Sequence, residues 1–343
     1  HDNNNEIKEG FVDISSNKQV NKIYKKRGRA IRITSIVLSI LLLIGGSGLL
    51  YYYSVLNSLK FVDISDNNST KATSSTLPTS DGTFSKSQLS NDELLEDSKV
   101  LNVMLFGEDN AKGEKFGRSD SMIMLSIDNR HKKLKMTSFQ RDSYVYVDGY
   151  GYDKLTNAYA YGGPKLTIQT IESNFGVKVD RYAVVDYASF IDIIDVLGGI
   201  DLELTQDEID YINYQLYKNK QSDTRTTITD APGKVHLTGQ QALWYARNRG
   251  LDSSEEGIGI AGDDWDRTSR QRKLLETMFN DMKDADLTQI ISIVGKVGPL
   301  VTTNLKKDEI TALVSHSMTY LTYAILQFTV PEEGQWYYMN DTP

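Results

Sequence analysis

Apolar and polar positions recur with two periods along this chain, and the changes between them mark its elements. From residue 95, "VLNVMLFG" (100–107) and "SMIMLSID" (121–128) are apolar runs of strand length, and "KLKMTSF" (133–139) alternates weakly. "NAYAYGGPKLTIQTIESNF" (157–175) has helical spacing but is interrupted at Gly162, Gly163 and Pro164, which predicts two helices meeting at a turn. "YAVVDYASFIDIIDVLGGIDLEL" (182–204) reads as strand, helix, Gly198–Gly199 turn and strand. "LTGQQALWYAR" (237–247) opens a helix with Thr238 and Gln241 in capping-box spacing. Residues 266–283, 287–296 and 307–322 are also helical in pattern, and "AILQFTV" (324–330) closes the series as a strand. Strands interleaved with helices predict an α/β (α+β) domain over 95–343, with a central sheet flanked by helices.

The pattern before residue 95 is different. Residues 33–56, "ITSIVLSILLLIGGSGLLYYYSVL", carry no charge and are long enough to cross roughly 30 Å of hydrocarbon as a helix. Tyr51, Tyr52 and Tyr53 stand where interfacial aromatics belong, and "KIYKKRGRAIR" precedes the apolar run. The positive-inside rule then makes 1–32 a basic cytoplasmic tail, 33–56 an uncleaved signal anchor, and everything after it extracellular. This predicts a single-pass protein of the cell membrane. Residues 57–94, rich in Ser, Thr, Asn and Asp, read as a flexible spacer, with no accessory domain expected.

Composition narrows the chemistry. The chain has 343 residues, net charge −8, no Cys and 4 His. The acidic balance speaks against nucleic acid as a partner. Thiol catalysis, disulfides and Cys-based zinc sites are excluded, and no His pair has His-x-x-x-His spacing. A hard ion with oxygen ligands, Mg²⁺ or Mn²⁺, is compatible. There is no GxxxxGK[ST], GxSxG or HExxH motif.

Against that acidic background, positive charge is concentrated locally. "DDWDRTSRQRK" (263–273) places Arg267, Arg270, Arg272 and Lys273 close together, and "ARNR" (246–249) adds Arg247 and Arg249. "GED" (107–109), "GRSDS" (117–121) and "FQRDSYV" (139–145) supply Asp109, Arg118, Asp120 and Arg141 beside apolar runs. Taken singly, each is as well explained by surface ion pairs or turns. Converging, the guanidiniums would form a forked donor array suited to pyrophosphate. On a helix, Arg267, Arg270 and Gln271 lie at i, i+3 and i+4 on one face, with Asp264 at the helix start, while Arg272 and Lys273 fall on other faces as solvated charge.

In order, "LFGED", "GRSDSMIMLSID", "SFQRDSYV", "YDKLTNAYAYGG", "LGGIDLEL", "LTGQQALWYARNR" and "DRTSRQR" resemble the LytR-CpsA-Psr family of Gram-positive bacteria over most of 97–283. The resemblance implies a transferase that moves an anionic glycopolymer, of capsule or wall teichoic acid type, from a polyprenyl-pyrophosphate carrier to a peptidoglycan acceptor. Carried over by motif, Asp109 and Asp120 match acidic positions near the pyrophosphate and its Mg²⁺. Arg118, Arg141, Arg247, Arg249, Arg267 and Gln271 match pyrophosphate contacts, and Asp264 is the acidic residue of the last segment. Asp120, Arg141, Arg267 and Asp264 are the catalytic candidates, and the general base is left open between Asp109, Asp264 and another carboxylate. Asp266 stands where a small residue is frequent in the family, which would put a further carboxylate beside the arginines.

The chemistry has its own logic. Attack on phosphorus by a sugar hydroxyl builds charge on the bridging and leaving oxygens, which positioned guanidiniums and a divalent ion stabilise. The donor bond is already activated, so no ATP is required. The lipid tail needs an apolar channel, for which "AVVDYASFIDIIDVL" (183–197) is a candidate wall. The same residues also suit a non-catalytic polyprenyl-phosphate-binding module or a polyprenyl-pyrophosphate pyrophosphatase. Transfer requires the carboxylates, whereas binding requires only the arginines.

Overall fold

A computed structural model describes residues 97–109, 116–221, 226–251, 260 and 262–336, with short pieces at 54, 56–57, 60–62, 75–78 and 84–87. The expected basic tail (1–32), nearly all of the expected membrane span (33–56) and most of the expected spacer lie outside these residues. Among the described residues no helix is long and apolar enough to cross a membrane.

The strands are β1 (Lys60–Phe61), β2 (Ser75–Pro78), β3 (Phe84–Ser87), β4 (Val100–Asp109), β5 (Arg118–Asp128), β6 (Lys133–Phe139), β7 (Tyr144–Val147), β8 (Gly151–Lys154), β9 (Arg181–Asp186), β10 (Ile200–Leu204), β11 (Gly233–Leu237), β12 (Thr302–Thr303) and β13 (Ala324–Val330). The helices are α1 (Leu155–Phe175), α2 (Tyr187–Val196), α3 (Gln206–Lys218), α4 (Gly239–Arg247), α5 (Asp264–Asp281), α6 (Leu287–Val297), α7 (Lys307–Ser315) and α8 (Ser317–Tyr320). Seven strands form one mixed sheet in the order β1-β12-β9-β4-β5-β6-β13. The expected α/β (α+β) domain, a central sheet flanked by helices, is what the chain forms.

Side-chain alternation along the central strands sorts residues into two layers. Met104 and Phe106 of β4, Met122 and Met124 of β5, and Tyr182 and Val184 of β9 pack with Leu155, Tyr159, Ile168 and Ile171 of α1. The intervening residues Leu105, Ile123, Ala183 and Val185 face the other side and line a cavity. Beyond that cavity lies a second core, built from the antiparallel β10–β11 pair and α2 to α5 around Ile194, Leu202, Ile212, Val235, Leu237 and Leu274.

The break expected in 157–175 is present. Gly163 has φ 63° inside α1, and a Cβ there would stand 2.6 Å from the Phe116 ring. Only glycine satisfies both the left-handed backbone and that close approach. The helix expected at 307–322 instead divides at His316 into α7 and α8. Part of the expected 57–94 spacer belongs to folded structure: β1 pairs in parallel with β12, and β2 pairs with β3 as a hairpin. Elements absent from the sequence reading are α3, β11, the two-residue β12 and the β7–β8 ribbon. The capping box of Thr205 and Glu208, with Ile209, Ile212 and Leu216 at helical spacing, is the signal that marks α3.

One ionic group anchors a strand end of the sheet. Asp128, with no exposed surface, accepts from Lys135 Nζ (2.7 Å) and from the backbone and ring nitrogens of His131 (both 2.9 Å). Burial alone would raise its carboxyl, but these donors outweigh it and hold it far below the usual carboxylate range. A folded-state value below the unfolded one, ~3.9, contributes stability that is present above that pH and lost as pH falls towards the folded value. Asp128→Asn is therefore expected to lower the denaturation midpoint at pH 7 and to narrow the gap from wild type as pH approaches 3, read by denaturant titration across that range.

Candidate active site

The two layers meet around a cavity of about 580 Å³. One part of its wall is apolar: Leu105 and Ile123 from β4 and β5, Ala183 and Val185 from β9, Phe190 and Ile193 from α2, and Leu274 and Met278 from α5. Another part carries Asp120, Arg141, Tyr187, Arg247, Arg249, Arg267 and Gln271. Among the described residues this wall therefore bears four guanidiniums and a single carboxylate, with Lys218 as a further cation.

Local structure explains the convergence. The start of α5 is capped by Asp263, which accepts from the backbone N–H groups of Trp265 (2.8 Å) and Asp266 (3.0 Å). Asp266 reaches back to accept from Asp263 N–H (3.2 Å), completing a capping box. Its exposed carboxylate is occupied there, so the extra acid expected beside the arginines is spent on the cap. Asp264, in the positive first turn of the helix, pairs with Arg267 one turn on (2.9 Å).

Arg141 follows β6 and binds several carboxylates. Its Nη1 donates to Asp120 Oδ1 (2.6 Å), and its Nε lies 3.3 Å from Asp142 and 3.4 Å from Asp264. Tyr187, the first residue of α2, donates its hydroxyl to Asp120 Oδ2 (3.2 Å) and places its ring 4.5 Å from the Arg247 guanidinium. Trp244 stands 5.1 Å from the same guanidinium. Arg247 is thus held by two aromatic faces, a contact worth about 0.5–2 kcal/mol each when partly desolvated.

Charge balance in this cluster is uneven. Burial works to raise the Asp120 carboxyl, but Arg141, Arg267 and the Tyr187 hydroxyl hold it below the usual carboxylate range. Burial raises the Asp264 carboxyl despite Arg267 and Arg141 beside it, and burial lowers the Arg267 guanidinium. Arg267 is 3% exposed, and its Nε has no hydrogen-bond partner. Gln271 Oε1, one turn on, and Asn248 Nδ2, at the end of α4, are likewise buried and unpartnered. Buried polar atoms without partners carry a desolvation cost that a bound polar ligand can relieve.

A model of the LytR_cpsA_psr family matches residues 57–343. The chain belongs to this family. It is 32% identical over 66% of its length to the polyisoprenyl-teichoic acid–peptidoglycan teichoic acid transferase TagV of Bacillus subtilis, covering 56% of that protein. The crystal structure of B. subtilis TagV is similar at 28% identity and a TM-score of 0.52, over 68% of this chain and 85% of that one. A structure of TagT bound to LI-WTA is similar at 25% identity and a TM-score of 0.54, over 68% and 81%. The chain spans less than two thirds of the length of the curated relatives it matches.

In this LytR_cpsA_psr member, the fold brings six of the expected site residues onto the cavity wall: Asp120, Arg141, Arg247, Arg249, Arg267 and Gln271. Asp264 stands behind them, paired to Arg267 and Arg141. Arg118 is exposed and off the wall, paired in register with Asp109 at the open end of β4 and β5. Arg270 departs from its expected place beside Arg267. Its Nε donates to Glu208 of α3 (2.9 Å) and its Nη1 to Asn248 O (2.9 Å), so it ties α5 to α3 and to the end of α4. Arg272, expected as solvated charge, is buried and donates to Ser138 Oγ (2.7 Å) and Gln327 Oε1 (3.2 Å), joining α5 to β6 and β13. Tyr187 and Trp244 are the site residues the sequence reading did not single out. Their signal is an aromatic at each of two helix positions that face a clustered arginine.

Proposed function

We propose that this protein transfers a teichoic-acid-type glycopolymer from a polyprenyl-pyrophosphate carrier to a hydroxyl of peptidoglycan. The observation that carries this reading is the continuity of an apolar cavity with a wall of four arginines. That pairing matches a ligand with a hydrocarbon tail and a compact polyanionic head. Relatives named as teichoic acid transferases, and one named as bound to LI-WTA, support the choice of polymer. The uncharged run 33–56 with its basic flank supports a membrane-anchored chain whose sheet domain lies outside.

In this reading the tail lies along Ala183, Val185, Phe190 and Ile193, alternate and helical-face positions of the segment expected as a channel wall. Arg141, Arg247, Arg249 and Arg267 grip the pyrophosphate. The acceptor hydroxyl attacks the glycopolymer-bearing phosphorus, a new P–O bond forms, the bridging P–O bond breaks, and polyprenyl phosphate leaves. The guanidiniums stabilise the charge gathered on the leaving phosphate. The proton of the acceptor hydroxyl passes to a carboxylate, for which Asp120 on the cavity wall is the candidate, while Asp264 holds Arg141 and Arg267 in place.

Magnesium fits the donor set in a limited way. Asp109 ends β4 in register with Arg118, two residues before Asp120 on β5, so the two carboxylates stand at the same end of this strand pair. Among the described residues no group of three or more acidic or His side chains is placed to hold a metal ion, so an ion here would need most of its oxygens from phosphate and water. Asp109 and Asp120 would hold Mg²⁺ or Mn²⁺, and the ion would neutralise phosphate charge.

Two measurements test the reading. Purified protein given a polyprenyl-pyrophosphate-linked glycan, peptidoglycan fragments and Mg²⁺ is expected to yield a phosphodiester-linked product and polyprenyl phosphate. Phosphate release that needs no acceptor would make the protein a pyrophosphatase instead. A prenyl pyrophosphate at 100 times its Kd is expected to stabilise the fold by about 2.7 kcal/mol, a rise in Tm of about 5–10 °C for a domain of this size. Inorganic pyrophosphate alone producing the same rise would show that the apolar cavity takes no part.

A further inference from the structure

The β7–β8 ribbon departs from the usual pattern of a strand pair with one face on a core. Val145 and Val147 point into the core beneath α1. The alternate positions Tyr144 and Tyr146, with Tyr152 on the paired strand, therefore share the outer face, where polar side chains are the norm. Tyr144 and Tyr152 stack with centroids 5.5 Å apart and planes at 23°, and Tyr146 meets Tyr152 edge-on at 5.5 Å. At the ribbon's turn, Tyr150 lies flat on Tyr161 of α1, centroids 4.2 Å apart and planes within 7°. Tyr150 is 57% exposed and Tyr161 41%. The Tyr161 hydroxyl donates to Asp153 Oδ2 (2.6 Å), so this second stack is held in position between the ribbon and α1.

The rings continue towards the arginine wall. Tyr144 is paired in register with Lys154, whose Nζ lies 3.1 Å from Asp142, and Asp142 lies 3.3 Å from Arg141. Tyr144, Tyr146 and Tyr152 are half-buried, and Tyr150 and Tyr161 form a second, exposed pair. Aromatics gathered on one small element in this way mark a binding face. Its chemistry is specific: flat ring faces with hydroxyls at their tips suit pyranose rings, whose C–H faces stack on aromatics while their hydroxyls find polar partners.

We propose that the β7–β8 ribbon, with Tyr161, is a platform for the sugar rings of the acceptor glycan. The proposal rests on the transferase reading for the word acceptor, and the placement of the ribbon supports it. The ribbon packs on the α1 side of the sheet, whereas the apolar cavity opens on the opposite side. The ribbon nevertheless begins three residues after Arg141, so a sugar bound on it lies beside the sheet end where Arg141 and Asp120 pair.

The test uses the full protein and an N-acetylglucosamine tetrasaccharide as the probe, followed by tyrosine fluorescence and NMR without any donor present. Wild type binds saturably. Tyr150→Ser combined with Tyr161→Ser, and separately Tyr152→Thr, weaken binding by about tenfold, the size of one lost aromatic contact. In the transfer assay the same variants raise the acceptor KM by a similar factor, with kcat, donor KM and the prenyl pyrophosphate Tm rise unchanged. No saturable binding by wild type, equal affinity in the variants, or a rise in donor KM in place of acceptor KM each overturns the proposal; the last would assign the ribbon to the donor's own polymer. Sugar binding is read without donor, so a failure of transfer in wild type is distinct from a failure of the platform. The unchanged Tm rise separates a lost contact from a lost fold.

Discussion

Arg141→Ala is expected to lower glycopolymer transfer by about 10²–10³-fold, the cost of removing one preorganised donor from a centre where charge develops. Arg141 lines the cavity and also stands between the carboxylates of Asp120, Asp142 and Asp264. Its loss leaves those acids facing a pyrophosphate without their shared cation, so donor binding weakens along with turnover. Arg141→Lys is expected to recover only part of the activity. An ammonium is a single point charge and cannot present Nη1 to Asp120 and Nε to Asp264 together. Turnover with a lipid-linked donor, beside Tm to confirm folding, measures both variants. Retention of more than about a tenth of wild-type turnover by Arg141→Ala would remove this residue from the reacting centre.

The second large effect is steric. Ala183 is a small residue on β9 that faces the cavity between Leu105 and Val185. Ala183→Trp projects an indole into the space assigned to the lipid tail. Displacing about four methylene groups of tail costs about 3 kcal/mol, or roughly a hundredfold in Kd. Affinity for a prenyl pyrophosphate should fall by that factor, while affinity for inorganic pyrophosphate stays as in wild type. Filling an apolar space without a ligand should leave Tm unchanged or slightly higher. Calorimetric titration with the two ligands reads the difference. Equal loss for both would mean that Ala183→Trp had disturbed the arginine wall and not the channel.

Much of the framework was legible because alternation and helical spacing are local properties. β4, β5, β6 and β13 fall where their apolar runs lie, and the Thr238–Gln241 box starts α4, with Gln241 Oε1 accepting from Thr238 N–H at 2.7 Å. The arginine segments were equally visible, since charge clustered in an acidic chain stands out. The β7–β8 ribbon was hidden because its outer face carries tyrosines, which erases the polar half of the alternation. Tyr187 was hidden for a different reason. A tyrosine at a helix start is unremarkable until Asp120, from β5, and Arg247, from α4, are brought to its hydroxyl and its ring.

The sequence by itself determined that an α/β (α+β) domain would follow an apolar, basic-flanked segment, and that arginines would gather in a few ordered segments. Only the tertiary structure decided which of those arginines face the cavity. Arg267, Arg270, Gln271 and Arg272 share one short helical stretch, yet Arg267 and Gln271 face the cavity, Arg270 binds Glu208, and Arg272 is buried against β6 and β13. Helical periodicity sets the directions in which these side chains leave the axis. What each one meets depends on elements 22 to 134 residues away in the chain, and a long, flexible guanidinium follows the acceptors those elements supply.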